Sequence, residues 1–263
     1  MNQKSIENNL KNPARFFIEH LNSVDSTNSY LNEKGKSGAP EWTVVVAEQQ
    51  TGGRGRYQRQ WESPPESGLW FSLLLRPQIT TRYLNLINLF TAWTLSQYLE
   101  KTILAVKRQR IDIALKWPND LLIDSRKISG ILLEGSFSAE QLQYIVVGIG
   151  LNVNQNYSDF PEELQDKAGS LRTATGLLWS RSELLAGYLD FYFDNYQHYF
   201  PDNPSAIVDL YQDKVAMSGR EITVKNENVA LTGTFSGLTP EGYLILQHNG
   251  ALRIITAGDI FGN

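Results

Sequence analysis

Between Gly52 and Arg59 the chain sets three glycines and three arginines in eight positions. Such a string has almost no apolar surface to bury and repels itself, so it cannot be a strand or helix of a core. It must hang as a loop between elements that carry cores of their own, and its arginines need an anion to order them. Upstream, Trp42 to Ala47 (WTVVVA) is a β-branched run of the kind buried in a sheet. Downstream, Gly68 to Arg76 (GLWFSLLLR) reads as a strand closed by Pro77. The loop therefore leaves the end of one strand and feeds the next.

Other segments extend the pattern. Phe16 to Leu21 reads as a strand, and Asp25 and Ser26 can cap a short helix carrying Tyr30 and Leu31, ended by Gly35, Gly38 and Pro40. Tyr83 to Leu99 has a mainly apolar helical spacing, while Ile111 to Trp117, Ile128 to Phe137 and Tyr144 to Val153 return to strand character. Phe160 to Gly176 reads as a loop with one turn of helix. Ser180 to Phe200 is an aromatic-rich helix, more core than binding stripe, ended by PDNP at Pro201 to Pro204, with a short helix at Ala206 to Gln212 after it. From Val215 only short strands follow, at Glu221 to Lys225, Ala230 to Phe235, Tyr243 to Gln247 and Leu252 to Thr256, punctuated by Asn226, Gly237, Gly242 and Gly250. The expected class is α+β: a mixed sheet with packed helices over residues 1–213, then a small β-barrel over 214–263.

Composition narrows the function. With 41% apolar residues the chain has the material for a core. The net charge is −4, and the local excess between Lys101 and Lys127, seven Lys or Arg against three Asp, is a patch rather than the profile of a nucleic-acid-binding chain. The sequence has no cysteine, and its three histidines, His20, His198 and His248, are too scattered for a metal cage. No run approaches the roughly 20 apolar residues of a membrane helix and no leader is evident, so a cytoplasmic, soluble protein is expected.

Chemistry concentrates in a few strings. In Gly52 to Arg59 the glycines let backbone N–H groups approach a ligand, and Arg54, Arg56 and Arg59 can bind phosphate. Neither GxxxxGK[ST] nor GxGxxG is present, so neither standard phosphate mechanism applies. Such a loop would order on ligand and exclude water from a labile intermediate. An exposed basic loop without function is the bland alternative. Lys116, in ALKWPNDLLI, can hold a carboxylate and a phosphoryl group together from a rigid strand, or simply extend to solvent. Asn119 and Asp120 serve equally as a turn or, for Asp120, as the partner of a base or a magnesium ion. Lys127 is a second, weaker phosphate contact, and Gly130 permits close backbone approach. Gly148 and Gly150 sit in a strand pattern, where glycine implies that a ligand or another backbone comes close. Ser26, Thr27 and Asn28 can read a small polar head group, or only cap a helix.

These pieces together resemble the biotin protein ligase family. The matching strings are DSTN (Asp25 to Asn28), EQQTGGRGR (Glu48 to Arg56) with Arg59 and Trp61, KWPND (Lys116 to Asp120), KISGILLE (Lys127 to Glu134) and GIGLNV (Gly148 to Val153). GYLIL and AGDI resemble that family's C-terminal SH3-like domain. The resemblance implies that Ser26, Thr27, Asn28 and Gln50 contact the ureido ring of biotin, with Gly130, Gly148 and Gly150 lining the pocket. Gly53 and Arg54 to Trp61, including Arg59, would form the loop over the adenylate. Arg56 and Lys116 would be the catalytic pair on carboxylate and α-phosphate, with Lys127 beside them and Asn152 near the nucleotide.

The implied reaction uses ATP, biotin and Mg²⁺ to make biotinoyl-5′-AMP, then transfers biotin to a lysine of biotin carboxyl carrier protein. The implied assembly is a monomer or homodimer. Two departures stand out: Gln58 occupies a position where many relatives have glycine, and the roughly fifteen residues before Phe16 are too few for a helix-turn-helix domain, so specific DNA binding is not expected. Lipoate or octanoate ligation and a non-catalytic biotin-binding protein are the alternatives. Retention of both Arg56 and Lys116 argues against the second.

Overall fold

A computed structural model describes residues 1–200, 202–225 and 230–261; the expectations at Pro201 and Asn226 lie outside these. Twelve strands and six α-helices form two sheets and their packing layers among the described residues. The first sheet contains β1 (Phe17–Val24), β2 (Thr43–Gln50), β3 (Gly68–Leu75), β4 (Ala114–Lys116), β5 (Asp120–Ile123), β6 (Arg126–Ser138) and β7 (Gln141–Asn152), in the order β1-β2-β3-β7-β6-β5-β4. The β1–β2 pair is parallel and the other pairs are antiparallel, so the sheet is mixed as expected. Its centre is apolar on both sides: all eight residues of β3 are buried, which is why GLWFSLLLR lacks polar alternation.

The helices are α1 (Gln3–Glu7), α2 (Thr27–Lys36), α3 (Leu84–Lys107), α4 (Leu171–Thr175), α5 (Arg181–Tyr199) and α6 (Ala206–Gln212). Ser26 caps α2 as expected, its side chain accepting from Ser29 N. Helix α3 runs two turns beyond the expected Leu99, because no glycine or proline stops it before Arg108 turns left-handed at φ 55°. The strand expected over Ile111 to Trp117 shrinks to the three residues of β4, and Asp120 opens β5 instead of only making a turn.

The second sheet holds β8 (Glu221–Lys225), β9 (Ala230–Leu238), β10 (Leu244–His248), β11 (Ala251–Ile255) and β12 (Asp259–Phe261), antiparallel in the order β11-β10-β9-β8-β12. It is the SH3-like unit of the expected class. Its buried Ile222, Val224, Phe235, Leu244 and Ile260 belong to the same hydrophobic core as Leu86, Leu89 and Trp117. Gly242 fixes that docking. Its carbonyl accepts from Trp117 Nε1 at 3.0 Å and from Asn85 Nδ2 at 2.7 Å. It has φ +79°, and a Cβ there would lie 2.6 Å from Leu89, so only glycine lets the turn sit on α3. With the second sheet docked there, β12 meets the arginine loop. Among the described residues no helix is long and apolar enough to cross a membrane.

Candidate active site

A cavity of about 260 Å³ opens over the face of β6 and β7, between α2, the loop after β2, and residues 160–168. Its floor follows from the register Gly130↔Gly150 and Leu132↔Gly148, since alternate strand residues share a face. Protein side chains already press on these glycines. A Cβ on Gly148 would collide with the Asn28 amide and one on Gly150 with the Trp61 indole, while one on Gly130 would lie 3.0 Å from Trp61. The close approach that the sequence implied is thus made by Asn28 and Trp61.

One end of the cavity is a fixed network of neutral groups. Thr27 donates from its backbone N and from Oγ1 to Gln50 Oε1, at 2.9 and 3.0 Å, and Gln50 Nε2 donates to Ser63 Oγ at 2.9 Å. Ser72 Oγ, fully buried on β3, lies 2.7 Å from Thr27 Oγ1 and 2.6 Å from Asn28 Oδ1. Asn28 Nδ2 donates to Glu134 Oε2 at 2.8 Å. With Ser26, Thr27 and Asn28 all buried, these groups have locked orientations and present a rigid pattern of donors and acceptors.

The other end is charged. The lining includes Arg54, Arg56, Arg59, Lys127 and Lys167 against Glu62, Asp120 and Asp259, an excess of positive charge suited to an anion. Arg54 Nη2 donates to Ser29 Oγ at 3.0 Å and pairs with Glu134 at 3.3 Å. Lys127 Nζ forms an ion pair with Asp120 Oδ1 at 2.7 Å. It also lies 5.2 Å from the centre of the Trp61 ring. Asn152 donates from Nδ2 to Gly169 O at 2.9 Å, beside the apolar wall of Phe160, Leu164 and Ala168.

Lys116 is not among the residues lining this cavity, yet the register Lys116↔Asp120↔Gly130↔Gly150 sets it on the cavity's face of the sheet. It lies on β4, the outermost strand of the sheet, two strands from β6, and its neighbours Leu115 and Trp117 turn into the core. Lys127, at the start of β6, lines the cavity. Gly53 lies beneath the loop, packed on the Trp61 carbonyl. Glu134, Ser63, Ser72, Lys167 and Asp259 were not singled out by sequence, although Glu134, Ser72 and Asp259 lay inside the quoted strings KISGILLE, GLWFSLLLR and AGDI.

At the edge of the floor, Glu48 on β2 accepts from His20 at 2.9 Å, Arg181 at 2.8 Å and the Met1 amine at 3.0 Å. Burial raises its pKa, but these three donors outweigh burial and hold the carboxyl at about 2, below its ordinary 4.5.

A mixed sheet packed on both faces, with a cavity neutral at one end and cationic at the other and a small β unit at its rim, is the frame of the class to which the comparisons assign the chain. Residues 21–152 match the Biotin/lipoate A/B protein ligase family and residues 217–261 match the Biotin protein ligase C terminal domain. The chain is 34% identical over 237 residues to the Bifunctional ligase/repressor BirA of Bacillus subtilis, covering 90% of this chain and 71% of that one. It is 30% identical over 249 residues to the Biotin–[acetyl-CoA-carboxylase] ligase of Paracoccus denitrificans, covering 92% and 98%. The biotin protein ligase of Aquifex aeolicus, solved in complex with biotin and ATP, superposes with a TM-score of 0.78 at 31% identity, covering 93% and 97%. The chain belongs to the biotin/lipoate A/B protein ligase family, and it is an enzyme of the biotin protein ligase type.

Proposed function

We propose that the cavity joins the carboxylate of biotin to the α-phosphate of ATP, releasing pyrophosphate, and then presents biotinoyl-5′-AMP to the ε-amine of a lysine on a biotin carboxyl carrier protein. In the second step the amine attacks the acyl carbon, the C–O bond of the mixed anhydride breaks, and AMP leaves with its electron pair while the amine loses a proton. The carrying observation is the polarity of the cavity: fixed neutral hydrogen-bonding groups at one end and five basic side chains at the other suit a ligand that is neutral and polar at its head and anionic at its tail.

In this account Ser26, Thr27, Asn28 and Gln50 read the ureido ring over Gly130, Gly148 and Gly150. Trp61 covers the centre, and Arg54, Arg56 and Arg59 close over the phosphates. Asn152 lies near the nucleotide, with Phe160 and Leu164 beside its base. Lys116, on the cavity's face one strand beyond Asp120, keeps the catalytic role beside Arg56, and it is joined there by Lys127. Held by Asp120, the Lys127 ammonium can meet both the carboxylate and the α-phosphate and stabilise charge gathering on the phosphoryl oxygens. Holding the two reactants together removes much of the entropic barrier, and the loop shields the anhydride from water.

No group of three or more carboxylates, histidines or cysteines suited to a metal occurs among the described residues. Mg²⁺ commonly binds through substrate phosphates and one or two carboxylates, and Asp120 fits that pattern. The ion would neutralise phosphate charge. Residues 1–213 form the catalytic unit in this account and residues 214–263 the closing unit, in a cytoplasmic enzyme.

The test is exchange of labelled pyrophosphate into ATP by the purified protein, with biotin, lipoate and octanoate in parallel. Exchange with biotin alone is expected. Exchange only with lipoate or octanoate would reassign the pocket, and none with any acid would overturn the proposal.

A further inference from the structure

The arginine loop is held at two points of different character. Its base is a small hairpin of its own backbone: Trp61 N donates to Gly53 O at 2.9 Å and Gly55 N to Arg59 O at 2.7 Å. Its tip, Arg56 to Arg59, buries no apolar side chain, and Tyr57 and Gln58 both take left-handed backbone, at φ 55° and 58°. A tip of non-glycine residues in that region is strained, so something must hold it.

The holding group comes from the other end of the chain. Arg56 Nη1 donates to Gly258 O at 3.0 Å and lies 3.6 Å from Asp259 Oδ1, while Arg59 Nη2 lies 2.5 Å from Asp259 Oδ2. One carboxylate thus takes both tip arginines. Asp259 is itself fixed, because it opens β12 opposite Lys225 and follows Gly258, whose φ of +156° and close contact with Val224 admit no side chain.

We propose that Asp259 is a positioning residue, clamping the tip of the arginine loop over the cavity before nucleotide arrives, so that the C-terminal β unit preorganises the phosphate site. The guanidinium of Arg56 has five N–H donors, and its contacts to Gly258 and Asp259 both use Nη1, leaving others for phosphate. Preformed closure lowers the ordering cost of ligand binding and slows escape of the anhydride. The catalytic consequence rests on the proposed adenylation; the clamp itself does not.

The experiment separates the two. Tryptic cleavage after Arg56 and Arg59 is followed in ligand-free, full-length protein, in the parent and in Asp259→Asn and Asp259→Glu, beside thermal unfolding and the KM for ATP. Asp259→Asn should be cut about five- to tenfold faster at unchanged Tm, and saturating biotin and ATP should restore protection. Its KM for ATP should rise severalfold with kcat little changed, and Asp259→Glu should retain most of the protection. Cleavage of Asp259→Asn at the parental rate would overturn the clamp, whatever the exchange assay gives. Should Asp259→Asn fail to fold, the parent carries the test: about 1 M KCl should speed loop cleavage relative to a peptide substrate, and an unchanged relative rate would overturn the proposal.

Discussion

The floor and the roof of the cavity are built on opposite principles. The floor is two long strands, β7 largely buried and β6 half-buried, whose glycines are pressed by Asn28 and Trp61, with polar groups such as Ser72 fixed by hydrogen bonds at 0% exposure. The roof is a strained loop with no buried apolar side chain, held by ion pairs in which Arg59 is 63% exposed. A rigid floor suits discrimination among small neutral head groups, where an ångström decides affinity. A roof held by charge can open for each acceptor and close on each nucleotide.

The sharpest way to break this division is at the junction of the two, Lys127. Lys127→Ala should lower the rate of biotin adenylation by about 10²- to 10³-fold with biotin affinity nearly kept, and Lys116→Ala should do the same in the same exchange assay. A parental rate in either variant would remove the role given to that lysine.

Next comes the floor itself. Gly148→Ala drives a methyl into the Asn28 amide and should weaken biotin binding by about 30- to 100-fold in titration calorimetry, while ATP binding changes little. Support beneath the floor depends on Glu48. Because its folded pKa lies below its ordinary value, its contribution is present above about pH 4.5 and is lost as pH falls toward 2. Glu48→Gln should lower stability near pH 7 by about 2 kcal/mol after allowance for screening and flatten the acid limb of a pH–stability profile. A parental profile in that variant would show the buried cluster to be inert. The roof should give the smallest effect: Arg56→Gly should speed release of bound adenylate by about tenfold, measured by capture of freed label, without altering biotin affinity.

The sequence carried the floor and the loop plainly because each has a local signature. DSTN, GGRGR and GIGLNV encode a cap, a phosphate-seeking loop and a glycine-marked strand, and all three meet in one cavity. KWPND shows Lys116 as a lysine on a strand but not that β4 is the sheet edge, a property of strand order. Asp259 lay inside the quoted AGDI, but its contact with the loop was illegible for a related reason. Its partner Arg56 lies about two hundred residues away, and β12 is a three-residue strand whose signal is its pairing with β8. The capped α1, with Ile6 fully buried against the core, was hidden in a polar stretch too short to show a period.

The most direct measurement of the central claim is a single-turnover mixture of excess protein with biotin and α-³²P-ATP, quenched and resolved for labelled products. The account predicts biotinoyl-5′-AMP retained at close to one per limiting nucleotide, and its loss on addition of a carrier-protein lysine acceptor. Label found only in ATP, or in AMP formed equally without biotin, would contradict it.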